Sequence, residues 1–361
     1  MGAGRVNLRM QSFSAEAGCC RMTNSPTLKE VAQRAGVHVT TASRALNPAT
    51  SSLVNPATMR RVQAAARELR YQPNAMARGL KTARSMSVGV LLPDLTNPLF
   101  PPIVRGIEDV LANSGYTTLI ANTDNDLERQ RTLFDTLRAR QVDGVIIATA
   151  RRDDNLFAEA HQQGVRMVMV NRRVDQSDIP SVTGDDHDGI AMAVRHLIEL
   201  GHTRIAHVGG PQHTSTGRTR QRAYRQALDD AGIELDPGLL VTAQEFTEGE
   251  GAKATRSMFE AGKRPTAIVA ANDMIALGCL DVFSERRLQC PTDISLVGFN
   301  DMPFVDRLTP PLSTVHVPHY QIGAEAARML LDRLANPDLP SKSITLPATL
   351  VLRESTAPPR A

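Results

Sequence analysis

The sequence predicts an α/β protein in two parts: a small helical head near the amino terminus and a long two-lobed body built on parallel sheets. Three observations carry this. Apolar residues recur at helical spacing between Leu28 and Leu69. From Ser87 the chain changes to short apolar strands alternating with amphipathic helices, the pattern of parallel sheets covered on both faces. That alternation runs twice, which implies two similar lobes with a cleft between them. A chain of 361 residues with 42% hydrophobic content can hold two or three domains with a sizeable core.

In the head, TLKEVAQRAGVHVTTASRALN, Thr27 to Asn47, reads as two short helices joined by a tight turn. Leu28, Val31, Ala32 and Ala35 share one face of the first helix; Ala42, Ala45 and Leu46 share one face of the second. Thr27 can cap the first helix, Glu30 completes a capping box, and Gly36 can take the positive φ that ends it. Val37 then fills the space between the helices. The second helix turns Val39, Thr40 and Arg44 outward, with Thr41, Ser43 and Asn47 as small hydrogen-bonding residues beside them. A helix laid in the major groove of duplex DNA would have this distribution. An ordinary helical hairpin with a solvated polar face would have it too. Pro48 to Leu53 reads as a polar loop, and Asn55-Pro56 opens a third helix to about Leu69, with Val62, Ala65, Ala66 and Leu69 inward.

The body's first series of strands is Ser87–Leu92, Thr117–Asn122, Gly144–Ala148 and Val165–Val170; the second is Ile205–Val208, Leu240–Ala243, Ala267–Ala270 and Ser295–Phe299. A net charge of +3 conceals an asymmetry between the parts. Residues 23–86 carry ten Lys and Arg against Glu30 and Glu68, a net +8, whereas residues 87–361 carry −7. A basic head on an acidic body is the electrostatic footprint of a duplex binder.

Several function classes find no support. Cys19, Cys20, Cys279 and Cys290 form no CxxC pair or zinc spacing, so free thiols in a reducing cytoplasm are expected. Arg5 and Arg9 are followed by no apolar run, so no export signal is expected, and no stretch of about 18 apolar residues suggests a membrane span. Gly209-Gly210-Pro211 lacks the GxGxxG fingerprint, and no Walker motif or GxSxG nucleophile elbow occurs. His187, His196, His202 and His207 have no tight metal-ligand spacing, and Asp185, Asp186 and Asp188 lack that of an EF-hand. No enzyme, metal or cofactor is expected.

The 27–47 stretch resembles the amino-terminal signature of the lactose-repressor/galactose-repressor (LacI/GalR) family, close to TLxDVAxxAGVSxxTVSRVLN. Tyr71 to Leu80, YQPNAMARGL, is similar to that family's hinge, YxPNxxARxL. SVGVLLPDLTNPLF, RQVDGVIIAT, LGHTRIAHVGGP, VAANDMIALG, DISLVGFND and LVLRESTAPP resemble landmarks of its type I periplasmic-binding-protein body. Two departures stand out: the loop before Val54 is about two residues longer than usual, and Arg70 stands where a helix-ending glycine is common.

The resemblance implies a cytoplasmic, homodimeric transcription regulator binding a near-palindromic operator, with no membrane partner. The expected division is a disordered extension over 1–24, a helix-turn-helix domain over 25–73, a hinge over 74–86 and a two-lobed effector domain over 87–361. Lobe 1 would take about 87–185 and 316–346, and lobe 2 about 186–315 and 347–361. Val39, Thr40 and Arg44 would read bases, while Thr27, Thr41, Ser43, Asn47 and Asn74 would contact phosphates. Leu80 from each chain would wedge into a minor-groove step, with Lys81 beside it. Asn74 to Leu80 makes only two helical turns, too short to be stable alone.

In parallel sheets ligands sit at the carboxyl ends of strands. That rule selects Phe100, Asn122, Asn171, Arg172, Arg220, Asn272 and Asn300, and the resemblance adds Phe246. Amides and guanidinium groups suit hydroxyls or a carboxylate, and the phenylalanines suit an apolar ring face. A sugar or sugar acid fits. The family often has Asp where Asn171 and Asn300 stand, so this chain leans towards an anionic effector. A periplasmic solute-binding protein is the rival reading of the body, and a ligand-activated activator is the rival reading of the whole.

Overall fold

The computed structural model describes residues 26–47, 50–72 and 84–360. The chain divides into two compact units between Thr82 and Ala83. The readings of Asn74, Leu80 and Lys81, and of the segment before Pro26, lie outside the described residues.

The head holds α1 (Leu28–Arg34), α2 (Val39–Leu46) and α3 (Pro56–Glu68). Thr27 and Glu30 close a reciprocal capping box: the Thr27 N–H donates to Glu30 Oε2 at 2.6 Å and the Glu30 N–H donates to Thr27 Oγ1 at 3.4 Å. Gly36, at φ +62°, turns the chain, and Val37 N–H returns to Ala32 O at 3.0 Å. Val31, Ala32, Ala42, Ala45, Val62, Ala65 and Ala66 form the core, with Leu28, Val37, Leu46, Leu69 and Tyr71 packed around it. Val31 and Val62 are fully buried and stabilise the head by roughly 1.5–3 kcal/mol each. The loop read as polar contains a short 3-10 turn, Ser51–Leu53. Arg70 takes the position of the missing glycine at φ +48°, and Tyr71 N–H donates to Ala66 O at 2.8 Å. The left-handed region costs an L residue roughly 1–2 kcal/mol, so the helix end forms as it would with glycine, at that cost.

In the body, β1 (Ser87–Leu92), β2 (Thr117–Asn122), β3 (Gly144–Ile147), β4 (Met167–Val170), β5 (Ser181–Gly184) and β11 (Ser343–Leu346) make one sheet, ordered β11-β5-β4-β3-β1-β2. The second comprises β6 (Ile205–Gly209), β7 (Leu240–Thr242), β8 (Ala267–Ala270), β9 (Ser295–Asn300), β10 (Ser313–His316) and β12 (Thr349–Val351), ordered β12-β10-β9-β8-β6-β7. Pairing is parallel except between β10 and β12. Strands β1, β3, β4, β8 and β9 are buried almost throughout, which is why they read as continuous apolar runs.

Helices cover both sheets: α4 (Phe100–Asn113), α5 (Leu127–Ala139), α6 (Asn155–Gln162), α7 (Asp186–Glu199), α8 (Ser215–Asp230), α9 (Glu248–Glu260), α10 (Asp273–Glu285) and α11 (His319–Ala335). The chain leaves the first sheet after β5, returns after β10 through α11, and crosses again between β11 and β12. At Gly106 a Cβ would meet Tyr320 O at 2.1 Å and at Gly323 one would meet Ile103 O at 2.0 Å, so α4 and α11 touch backbone to backbone. No described helix is long and apolar enough to cross a membrane.

Candidate functional site

The cleft opens where strands of both sheets end. Its space of about 290 Å³, part of it open to solvent, is lined by Phe100, Asn171, Arg172, Arg220, Phe246, Asn272 and Asn300, seven of the eight residues selected from sequence. Asn97, Leu99 and Thr216 also line it and were not selected. Asn97 and Thr216 sit in or after loops that follow β1 and β6, so the strand-end rule could have reached them.

Asn171 and Asn300 close β4 and β9 at φ +64° and +109°, in the region that asparagine tolerates better than most L residues. Asn272 spends its carbonyl on the α10 cap, accepting from Ile275 N–H at 2.9 Å, which leaves its amide protons. The next residue, Asp273, is buried and pushed up to about 7, chiefly by desolvation. It accepts from Thr314 Oγ1 at 2.6 Å and Met302 N–H at 2.8 Å, tying the start of α10 to the segments around β9 and β10. Gly210 serves the cleft sterically: a Cβ there would meet the Phe246 ring at 2.3 Å, so only glycine lets that ring lie against the chain.

Two polar atoms in the cleft lack a hydrogen-bond partner among the described residues: the Nε of Arg172 and the Oδ1 of Asn300. Arg172 is buried, and its pKa is lowered to about 10, first by desolvation and then by Arg220 and Arg151. Every charged neighbour acting on it is positive, and no described carboxylate lines this part of the cleft; Asp94 and Glu245 line the adjoining space that Arg172, Phe100 and Phe246 also border. Its guanidinium carbon lies 5.6 Å from the Phe246 ring centroid, a partial compensation.

Arg220 is different. Its Nε and Nη2 donate to Asp186 Oδ1 at 2.8 and 2.6 Å, its Nη1 donates to Ala271 O at 2.5 Å, and it stacks 3.8 Å from the Phe299 centroid. It therefore reaches the cleft wall while locking the start of α7 to the end of β8. Burial drives the Asp186 carboxyl upward and Arg220 opposes it. Arg220→Gln should therefore cost the body about 3–5 kcal/mol, because a buried acid loses its cation. A thermal melt checks this: an unchanged transition would remove the structural role.

Asn122 is not in the cleft. It ends β2, the edge strand of its sheet, where its Oδ1 accepts from Leu95 N–H at 3.0 Å and its amide donates to Asp124. Those bonds hold the loop after β1 instead. Among the described residues no group of three His, Cys, Asp or Glu could hold a metal ion.

In the head, Val39, Thr40 and Arg44 are exposed on one side of α2, while Thr41, Ser43 and Asn47 are half-buried beside the core. Thr27 is exposed at the start of α1 with its polar atoms in the capping box. Arg34 is held by Glu68 at 2.5 Å, whereas Arg44 makes no ion pair with a described residue. The sequence reading missed His38, the N-cap of α2: its Nδ1 accepts from Thr40 N–H at 3.4 Å and lies 2.8 Å from Thr40 Oγ1. The imidazole thus caps the helix and orients the Thr40 hydroxyl. His38→Ala should destabilise the head by about 1 kcal/mol, read as an earlier loss of helical signal on heating. An unshifted transition would deny the cap any weight.

Comparisons with known proteins fit this geometry at both ends of the chain. The model of bacterial regulatory proteins of the lacI family matches residues 27–74, and that of the periplasmic binding protein-like domain matches residues 194–356. The HTH-type transcriptional repressor CytR of Escherichia coli (strain K12) is 34% identical over 337 residues, covering 93% of this chain and 98% of that protein. The ribose operon repressor of Halalkalibacterium halodurans is 33% identical over 330 residues, covering 91% and 97%. Among solved structures, the lac repressor dimer bound to operator and the anti-inducer ONPF matches with a TM-score of 0.83 at 30% identity, covering 92% of this chain and 99% of that one. The CelR-cellobiose complex matches at 0.71 and 32% identity, covering 91% and 99%.

Proposed function

Because this chain belongs to the lacI family of bacterial regulatory proteins, we propose that it represses transcription under the control of a hydroxylated, anionic effector held in the cleft. The chain is a DNA-binding transcriptional repressor, not an enzyme; it acts as a homodimer on operator DNA and responds to a sugar-type effector. We place it in the cytoplasm with its operator.

The observation that carries the effector class is Arg172, a buried cation with an unused donor, Arg220 and Arg151 as its charged neighbours and no ion pair with a described carboxylate. A ligand carboxylate would pair with it, as guanidinium groups pair with carboxylates. Asn300 Oδ1 asks for the opposite partner, a donor such as a hydroxyl. Phe100 and Phe246 supply apolar surface for a ring face. One molecule carrying all three features is a sugar acid.

Control follows from where the cleft lies. An effector that touches both lobes favours one angle between them, and the chain crossings transmit that angle towards residues 74–86, taken here as the hinge carrying Leu80 and Lys81. The effector shifts the population only by its difference in affinity for the two states. We take the effector-bound state to be the one that releases DNA, with 25–73 as the reading head.

Fluorescence anisotropy on palindromic duplexes from upstream of the gene, with paired neutral sugars and their uronic and aldonic acids, tests the proposal. Salt-sensitive operator binding released by an acid and not by its neutral parent is expected. A neutral sugar acting as well as its acid would overturn the anionic reading and leave the repressor intact.

A further inference from the structure

We propose that the far end of lobe 2 holds a second ligand site, for a small anion bearing two or more phosphate groups. Arg204, Thr266 and Ile294 stand immediately before β6, β8 and β9, so the site lies at the amino ends of strands whose carboxyl ends form the cleft. At about 3.3 Å per residue, strands of this length separate the two by roughly 15–20 Å.

The site is an open groove, about 880 Å³ with the solvent at its mouth included, lined by Arg204, Arg264, Arg286 and Arg360. Its lining has one carboxylate, Asp293, and both its oxygens are engaged: Oδ1 by Arg360 at 2.6 Å and Oδ2 by the Gln289 N–H at 2.9 Å. Arg204, Arg264 and Arg286 make no ion pair with a described residue. Arg264 and Arg286 gather around one ring, Phe259, at 5.9 and 5.2 Å from its centroid. Arg264 is further fixed by donating from Nη1 to the carbonyls of Phe259 and Lys263 at 3.0 and 2.8 Å.

The ends of α9 and α10 account for part of this, since cations are favoured at helix carboxyl ends. Asp293 accounts for Arg360, but neither helix end accounts for Arg204 turning to the same groove. Four guanidinium groups with Asp293 alone among them in the lining, and Glu285 beside Arg286, are only partly balanced, and an anion with several phosphates removes the remaining repulsion while matching the planar forks of the arginines. The concave wall of Pro265, Leu288 and Ile294 suits a small ligand better than a flat protein surface.

Calorimetric titration of the full chain with inorganic tripolyphosphate at fixed ionic strength tests this. Saturable binding is expected to weaken at least tenfold in the double variant Arg204→Gln/Arg286→Gln and to tighten several-fold in Asp293→Asn. Arg172→Gln should leave it unchanged. The basic head also attracts polyphosphate, and that component should move with neither lobe 2 variant. An isotherm unaltered by both lobe 2 changes would overturn the site. So would equally tight binding of sulfate, which would mark a general anion patch, or capture of a polyglutamate peptide where tripolyphosphate fails, which would mark a protein partner.

Discussion

Arg172→Met is expected to abolish the response to effector while making the effector-free body more stable. The two effects have one cause. In the absence of ligand Arg172 is a buried cation whose charged neighbours are Arg220 and Arg151, and its pKa is lowered from 12.5 to about 10. That shift corresponds to roughly 3 kcal/mol of unfavourable interaction of the charged form at neutral pH. The sign is definite: a base with a depressed folded value binds its proton less readily than in the unfolded chain, so the charge destabilises the fold throughout the range below about 10. Methionine keeps much of the volume and removes the charge. Once the stacking of the guanidinium on Phe246 is subtracted, a net gain of about 1–2 kcal/mol remains, a rise of about 2–8 °C in the body's melting temperature. Removing a buried charge partner costs a ligand about 2–5 kcal/mol, so the acid effector should bind at least thirty-fold more weakly. A variant that melts lower than the parent and still responds to the effector would show that Arg172 is a structural cation.

The contrast with Arg220 shows where sequence reasoning runs out. Both arginines follow or face strand ends, and the topological rule for parallel sheets found both. Nothing in the linear chain says that Asp186 meets Arg220 and that no carboxylate meets Arg172, because those pairings depend on how three segments far apart in sequence converge. The same holds for Asn122. Its strand reads as strongly as the others, but ligands gather at the carboxyl ends of central strands, and β2 proves to be an edge. Strand order is not written in periodicity. The four strands absent from the sequence reading, β5, β10, β11 and β12, have three or four residues each, as do β3, β4, β7 and β8, but they carry Ser or Thr in place of a continuous apolar run and are defined by their neighbours. By contrast, the head was legible almost residue by residue. Its core is small, its helices are contiguous in sequence, and caps such as Thr27 and Asn55 are local chemistry. His38 escaped notice because histidine is an uncommon N-cap, and only the geometry shows its ring nitrogen accepting from Thr40.

Arg44→Ala is expected to weaken operator binding more than any other single change in the head. Arg44 follows Thr40 by one helical turn, so the two share the exposed side of α2. Unlike Arg34, which Glu68 holds, it has no ion pair with a described residue to break before it can reach a guanine edge. A good side-chain pairing with a base is worth about 1–3 kcal/mol of discrimination, and a homodimer makes it twice, so specific operator affinity should fall by about 2–6 kcal/mol, from thirty-fold to over ten-thousand-fold. Binding to random duplex should fall much less, because it rests on summed charge, of which Arg44 is one unit among the ten Lys and Arg of residues 23–86. Titrations of operator and random duplex over a range of salt separate the roles. A base-reading residue alters the ratio of the two affinities, whereas a phosphate-binding residue lowers both together and flattens the salt dependence by about one unit for each phosphate no longer neutralised. Equal weakening on both duplexes would move Arg44 from base reading to the backbone and leave the choice of sequence to Val39 and Thr40, whose hydroxyl His38 already orients.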